Sequence, residues 1–201
     1  MSASESELKL TLRSEADYDA LCRVLPDFLS EMEQLNTYWD HPDGRLREQG
    51  VMLRIRLEGD GARITIKRSA QRDGAGFFRA TEDEDDLPLA VAKRCADGVT
   101  RLAPSLSPLL VGLESEFGEV DRFEQWGRTD NRRRAYRLAD DLVAEVDRTD
   151  FGPGGIHHEI ELESEDPRRA RALLDPFLAR AGVQVDPSTV TKAERLQHLG
   201  K

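Results

Sequence analysis

The chain has 201 residues, of which 38% are hydrophobic and 34% charged, and its formal net charge is −10. That length holds one sizeable domain or two small ones, and the apolar share is enough for a core. The acidic balance disfavours a general nucleic-acid or anionic-membrane binder, since those rely on a basic surface.

No signal peptide is evident, and no apolar run is long enough to span a bilayer, so a cytoplasmic protein without a membrane partner is expected. Cys22 and Cys95 fall in segments of helical pattern with no CxxC or histidine spacing around them, and read as reduced packing residues.

The first predicted element is a strand, Glu5-Ser6-Glu7-Leu8-Lys9-Leu10-Thr11-Leu12. Its alternation sets Glu5, Glu7, Lys9 and Thr11 on one face and Leu8, Leu10 and Leu12 on the other. Residues two apart on a face stand roughly 6.5–7 Å apart. The two glutamates can therefore share one cation, and Lys9 can meet an anion held by it.

Ser14 to Asp17 has the form of a helix start, followed by an apolar stripe of Leu21, Val24, Leu25, Phe28 and Leu29 that Pro26 should kink or break. A second strand is expected over Glu33 to Asp40 and a turn at His41-Pro42-Asp43-Gly44. In the third strand Met52, Arg54 and Arg56 oppose Val51, Leu53, Ile55 and Leu57. Gly59-Asp60-Gly61 closes a hairpin into a fourth strand, where Arg63, Thr65 and Lys67 oppose Ile64 and Ile66. A loop over Ser69 to Gly76 and a fifth strand over Phe77 to Glu84 follow, and then two helices, Leu87 to Leu102 and Pro104 to Leu113.

Strands resume beyond Arg122. In Arg132 to Leu138, Arg133 and Arg137 oppose Arg134, Tyr136 and Leu138. Val143, Glu145 and Asp147 oppose Leu142, Ala144 and Val146, and after a turn at Phe151 to Gly155, Glu159, Glu161 and Glu163 oppose Ile160 and Leu162. His157 and His158 read as exposed turn residues. Asp166-Pro167 opens a helix that Gly182 ends, and a short segment from Thr189 to Leu199 carries Lys192. Strands and helices come in blocks, which predicts an α+β fold with an antiparallel sheet of about eight strands. No composition shift or linker cuts the chain, so residues 1–201 read as one domain.

Alternation alone allows a sandwich with solvated charged faces, or a barrel with the charged faces inside and helices on the apolar outside. Charge sorting favours the barrel. Some strands carry paired acids (Glu5/Glu7, Glu145/Asp147, Glu159/Glu161) and others paired bases (Arg54/Arg56, Arg63/Lys67, Arg133/Arg137), whereas solvated faces usually mix signs. Such an interior needs counter-charges. A hard divalent cation suits the carboxylates, Mg²⁺ or Mn²⁺ rather than zinc, and arginine pairs match phosphate oxygens. The ligand this predicts is a metal-bound chain of phosphates.

Glu5-x-Glu7-x-Lys9 resembles the ExExK signature of the CYTH superfamily, the triphosphate tunnel metalloenzymes. The resemblance runs in order through Leu53-Arg54-Ile55-Arg56, Thr65-Ile66-Lys67, Arg133, Asp147, Glu159-x-Glu161 and Thr191-Lys192. It implies an eight-stranded antiparallel β tunnel with helices outside, acting on a small-molecule triphosphate with Mg²⁺ or Mn²⁺, as a monomer or homodimer. By that resemblance Glu5, Glu7, Asp147, Glu159 and Glu161 hold metal, and Lys9, Arg54, Arg56, Lys67, Arg133 and Lys192 bind the phosphates. Glu5, Glu7, Lys9, Lys67 and Glu161 form the catalytic set. Arg132 or Arg134 takes the place of Arg133 if a bulge shifts the register, and Glu82 or Glu84 is a further candidate carboxylate.

The leading reading is a triphosphatase acting on inorganic tripolyphosphate, thiamine triphosphate or a nucleoside triphosphate. A class IV adenylyl cyclase shares the fold and motifs but needs an adenine pocket that no stretch announces. A polyphosphate-binding module without turnover would not need so many carboxylates.

Overall fold

A computed structural model describes residues 3–199. Nine strands occur among them: β1 (Ala3–Leu12), β2 (Phe28–Asp40), β3 (Val51–Glu58), β4 (Gly61–Arg72), β5 (Phe77–Asp86), β6 (Glu124–Ala139), β7 (Leu142–Asp150), β8 (Ile156–Glu163) and β9 (Val185–Pro187). The order β5-β4-β3-β2-β6-β7-β8-β1 closes on itself through an antiparallel β1–β5 pairing, which makes an eight-stranded barrel. The short β9 pairs Leu10 to Leu12 of β1, beyond the point where β5 leaves it.

The barrel is built inside out, as charge sorting predicted. Along β3, Val51, Leu53, Ile55 and Leu57 are buried on the outer face, while Met52, Arg54, Arg56 and Glu58 line the interior side. Helices cover the apolar exterior in two places. Over β2–β4, Trp39, Leu53, Ile55, Ile64 and Ile66 pack with residues of α3 (Leu89–Ala96) and α4 (Pro108–Phe117). Over β1 and β6–β8, Leu8, Leu10, Val146, Ile160 and Leu162 pack with α1 (Glu15–Val24) and α5 (Pro167–Ala181). Each such fully buried Leu or Ile contributes about 1.5–3 kcal/mol relative to exposure.

Several boundaries differ from the sequence reading. The Ser14 hydroxyl accepts the Asp17 N–H as expected, but α1 stops at Val24 because Pro26 forces Leu25 into an extended conformation. Phe28 and Leu29 therefore begin β2, five residues earlier than predicted, instead of continuing the helix. The predicted loop at Ser69 is strand, since β4 continues to Arg72 past a register shift between Ser69 and Gln71. The helix over Leu87 to Leu102 is only the eight residues of α3, and Pro104–Leu106 is a 3₁₀ turn ahead of α4, which starts at Pro108 under a Ser107 cap. His157 and His158 lie in β8 and not in a turn. His158 is buried against Tyr18, and His157 stands by Phe151, with burial pushing its imidazole down to about 3.

Candidate active site

Register carries the charged faces of the strands into one cavity of about 850 Å³. Lys9 stands opposite Glu161, Glu145 is also opposite Glu161, and Asp147 pairs with Glu159 on one side and Arg133 on the other. On the far wall Lys67 is opposite Glu82, and Arg54 is opposite Thr65.

The acidic focus is Asp147, Glu159 and Glu161. One oxygen of each lies within 4.8 Å of the others, and all three side chains are buried. Two cations already sit among them. Lys192 Nζ donates to Glu159 and to Glu161 Oε1 (2.7 Å), and lies 2.9 Å from Asp147 Oδ2. Arg133 grips Asp147 bidentately (2.8 and 2.6 Å) and also donates to Glu161 (2.6 Å) and to Glu145. Burial works against every charge in this cluster, and the opposite charges decide the outcome. Asp147 and Glu161 are held below the usual carboxylate range by Arg133, Lys192 and, for Glu161, Lys9. Glu159 has fewer cations, and burial raises it.

Lys192 reaches the cluster because of how its helix begins. The Glu194 N–H donates to the Thr191 hydroxyl (3.2 Å) and the Thr191 N–H donates to Glu194 Oε2 (2.8 Å), a reciprocal cap that makes Lys192 the first residue of α6 (Lys192–Leu199). Arg72 ties that cap to the barrel through Glu194 (2.6 Å) and the Thr189 carbonyl (3.0 Å).

Glu5 and Glu7, expected as metal ligands, stand outside this three-carboxylate group. Glu5 accepts from Lys67, which also lies 2.6 Å from Glu82. Glu7 lies 3.2 Å from Lys9 Nζ, and Lys9 donates to Glu161 at 2.6 Å, so Lys9 bridges the two acidic walls. Its ammonium stays charged: burial opposes it, and Glu161 and Glu7 more than offset burial. Burial lowers Lys67.

Arg54 and Arg56 extend from β3 into the same cavity. Arg56 donates to Asn36 (2.9 Å) and Arg54 to the Thr65 hydroxyl (3.2 Å), while the buried Arg54 Nε has no partner. Burial, then Arg54 and Arg133, push Arg56 down, the mark of a guanidinium short of anions.

Every expected site residue lines this interior or contacts it. Of the three adjacent arginines Arg133 faces in, while Arg134 bonds Glu31 and stacks with Arg132 about Tyr18 on the outer face. Arg63 and Glu163 are exposed at the margins of the cavity, and Arg137 is exposed outside it, near Asp27. The sequence reading left Glu82 and Glu84 open, and both line the cavity, against Lys67 and Thr65. It missed the polar pedestal of Gln34, Asn131 and Thr149, in which Asn131 donates to Gln34 (2.8 Å) and to Asp147 (3.1 Å) and accepts from Thr149 (2.7 Å). Neutral residues on short strand stretches carry no charge pattern to mark them.

Hard carboxylate oxygens of Asp147, Glu159 and Glu161, gathered this closely, would suit a divalent cation such as Mg²⁺ or Mn²⁺. Fold and interior together define a closed antiparallel barrel whose bore is lined by both acidic and basic side chains. The CYTH domain profile matches residues 3–196, and the chain belongs to that family. No curated protein sequence matches it. Among solved structures it is similar to the putative adenylyl cyclase HpAC1 from Hippeastrum, described as having a dominant triphosphatase activity (TM-score 0.88, 25% identity, 98% of this chain and 96% of that one). A putative adenylate cyclase from Bacillus halodurans (TM-score 0.69, 19% identity, 96% and 97%) and the Mimivirus capping enzyme triphosphatase (TM-score 0.53, 10% identity, 89% of each) share the fold.

Proposed function

We propose that the chain hydrolyses a small triphosphate in its bore with a divalent metal. The observation that carries this reading is the buried Asp147–Glu159–Glu161 group facing a cavity that Arg54, Arg56 and Lys67 also line. Those three carboxylates would hold Mg²⁺ or Mn²⁺, with Glu5 and Glu7 able to take a second ion. When bound, the metal supplies positive charge on the phosphoryl oxygens as a Lewis acid.

The chain's own groups do the rest. Arg54, Arg56 and Lys67 bind the phosphate chain from one wall, and Lys9, Arg133 and Lys192 turn from the carboxylates to phosphate oxygens. Their fixed positions hold the terminal phosphorus in line with an attacking water. The water oxygen bonds to that phosphorus, the bridging P–O bond breaks, and its electron pair leaves with the shortened phosphate chain. The water's proton passes to a bore carboxylate and on to solvent. Positioning and preorganised charge provide most of the acceleration in such transfers.

The test is a product-resolved panel of tripolyphosphate, thiamine triphosphate and nucleoside triphosphates with Mg²⁺ and with Mn²⁺. Release of orthophosphate, lost in Glu7→Gln while the variant melts cooperatively, supports the reading. Cyclic nucleotide with pyrophosphate would make it a cyclase, and binding with no product at all would make it a polyphosphate-binding module.

A further inference from the structure

One end of the bore is not charged like the rest. Trp126, near the start of β6, is half-buried and lines the cavity. The Arg47 guanidinium lies 4.4 Å from its ring centre, and the Tyr38 ring lies 5.6 Å away at 40°. Met52 lines the cavity beside them.

These groups are rigidly held. Arg47 Nε donates to Asp40 (2.8 Å), a buried carboxylate that also accepts the backbone N–H groups of His41, Leu46 and Arg47. Among the described residues the other side-chain nitrogens of Arg47 meet no acceptor, so its outer edge is available to a ligand. Leu196 of α6 packs so tightly against Gly127 that a side chain there would collide with it, which roofs this end. The opposite end of β6 opens on Asp140, Asp141, Glu163 and Glu165, and the ring on that side, Phe78, is buried beside Glu7 and Lys9.

The platform is one strand from the phosphate clamp. Tyr38 is in register with Arg54 on one side and with Gly127 on the other. Trp126 therefore stands about two strand spacings, roughly 10 Å, from Arg54. A phosphate chain gains nothing from an indole, a phenol and a thioether. A flat organic ring gains stacking area from the half-buried Trp126, which the buried Tyr38 backs, and a cation over its edge from Arg47.

We propose that Trp126, with Arg47 and Tyr38, forms a seat for the organic ring of a triphosphate ester, so that the bore favours ring-bearing triphosphates over inorganic tripolyphosphate. This rests on the bore being the triphosphate site. The ring lies at the Trp126 mouth, and the phosphates run inward past Arg54 toward Lys9 and Lys67.

The test compares ATP with tripolyphosphate on the full chain. Trp126→Leu is expected to raise KM for ATP about tenfold, the scale of one lost ring stack, and to leave KM for tripolyphosphate within twofold. Trp126→Phe should retain most of the ATP affinity. A second readout needs no turnover. Trp39 is buried in the outer core, so quenching of tryptophan fluorescence by adenosine reports Trp126 and should vanish in Trp126→Leu. Equal changes in KM for both substrates, or no quenching of the unsubstituted protein by adenosine, would overturn the seat. If neither triphosphate is hydrolysed, the proposed activity fails, and adenosine quenching still decides the seat by itself.

Discussion

At the scale of single residues, the proposed function gives the two walls of the bore separate jobs. Asp147, Glu159 and Glu161 come from β7 and β8 and converge on one point, while Arg54 and Arg56 come from β3, across the cavity. Removing a carboxylate there should act on metal, and removing an arginine should act on phosphate. In calorimetric titration, Glu159→Gln is expected to weaken Mn²⁺ binding by tenfold or more, since it deletes one of three converging ligands (about 1.4 kcal/mol per tenfold). Arg54→Ala should leave Mn²⁺ affinity of the free protein unchanged and weaken tripolyphosphate. Equal loss of Mn²⁺ in the two variants would show that the walls do not divide the work. Lys192 adds a competitor, because its ammonium now occupies the same three carboxylates.

At the scale of elements, the outward apolar faces are what hold the barrel shut. Ile160 is fully buried among β8, β1 and the helices above them, while Glu159 and Glu161 on either side of it face the bore. Ile160→Ala should therefore lower stability in urea by about 2–5 kcal/mol and spare tripolyphosphate binding at temperatures where the variant is folded. The β4–β5 turn is a second structural point. Gly76 has φ +89° and its carbonyl accepts the Lys9 N–H (2.8 Å), with the Lys9 carbonyl lying where a Cβ would go. Gly76→Ala should destabilise by about 1–3 kcal/mol, read as a lower melting temperature. Strand alternation made the inward and outward faces legible in β1, β3, β7 and β8, because runs such as Glu7 to Leu12, Leu53 to Leu57, Ala144 to Asp147 and Glu159 to Leu162 set polar against apolar residues. The limits of β2 and α3 were not legible. Phe28 and Leu29 fit a helical stripe as well as a strand, and the break at Pro26 together with the pairing of β2 with β6 decides between them. The platform of Trp126 and Arg47 was equally hidden, since α2 (Arg45–Glu48) and β6 meet only through the closed sheet.

At the scale of the whole molecule, a chain of net charge −10 encloses a bore in which Lys9, Arg54, Arg56, Lys67, Arg133 and Lys192 face Glu5, Glu7, Glu82, Glu145 and Glu161. Exposed charges of that kind would contribute little, and buried ones persist where an opposite charge meets them, as for Lys9, Lys67, Arg133 and Lys192. On the proposed function, a metal–triphosphate complex would take over those contacts. Such a ligand, binding only the folded barrel, should raise its stability by about 2.7 kcal/mol at a hundredfold excess over Kd. The most direct test of the account is acylation of lysines, read by mass spectrometry, with and without saturating tripolyphosphate and Mg²⁺. Lys67 is the reporter, since its side chain keeps 21% exposure and burial shifts it toward the reactive free amine, while Lys93 on the outside of α3 is the control. The account predicts several-fold protection of Lys67 and unchanged labelling of Lys93. Equal labelling of Lys67 in both states, under ligand shown by calorimetry to be bound, would contradict the placement of the triphosphate in the bore.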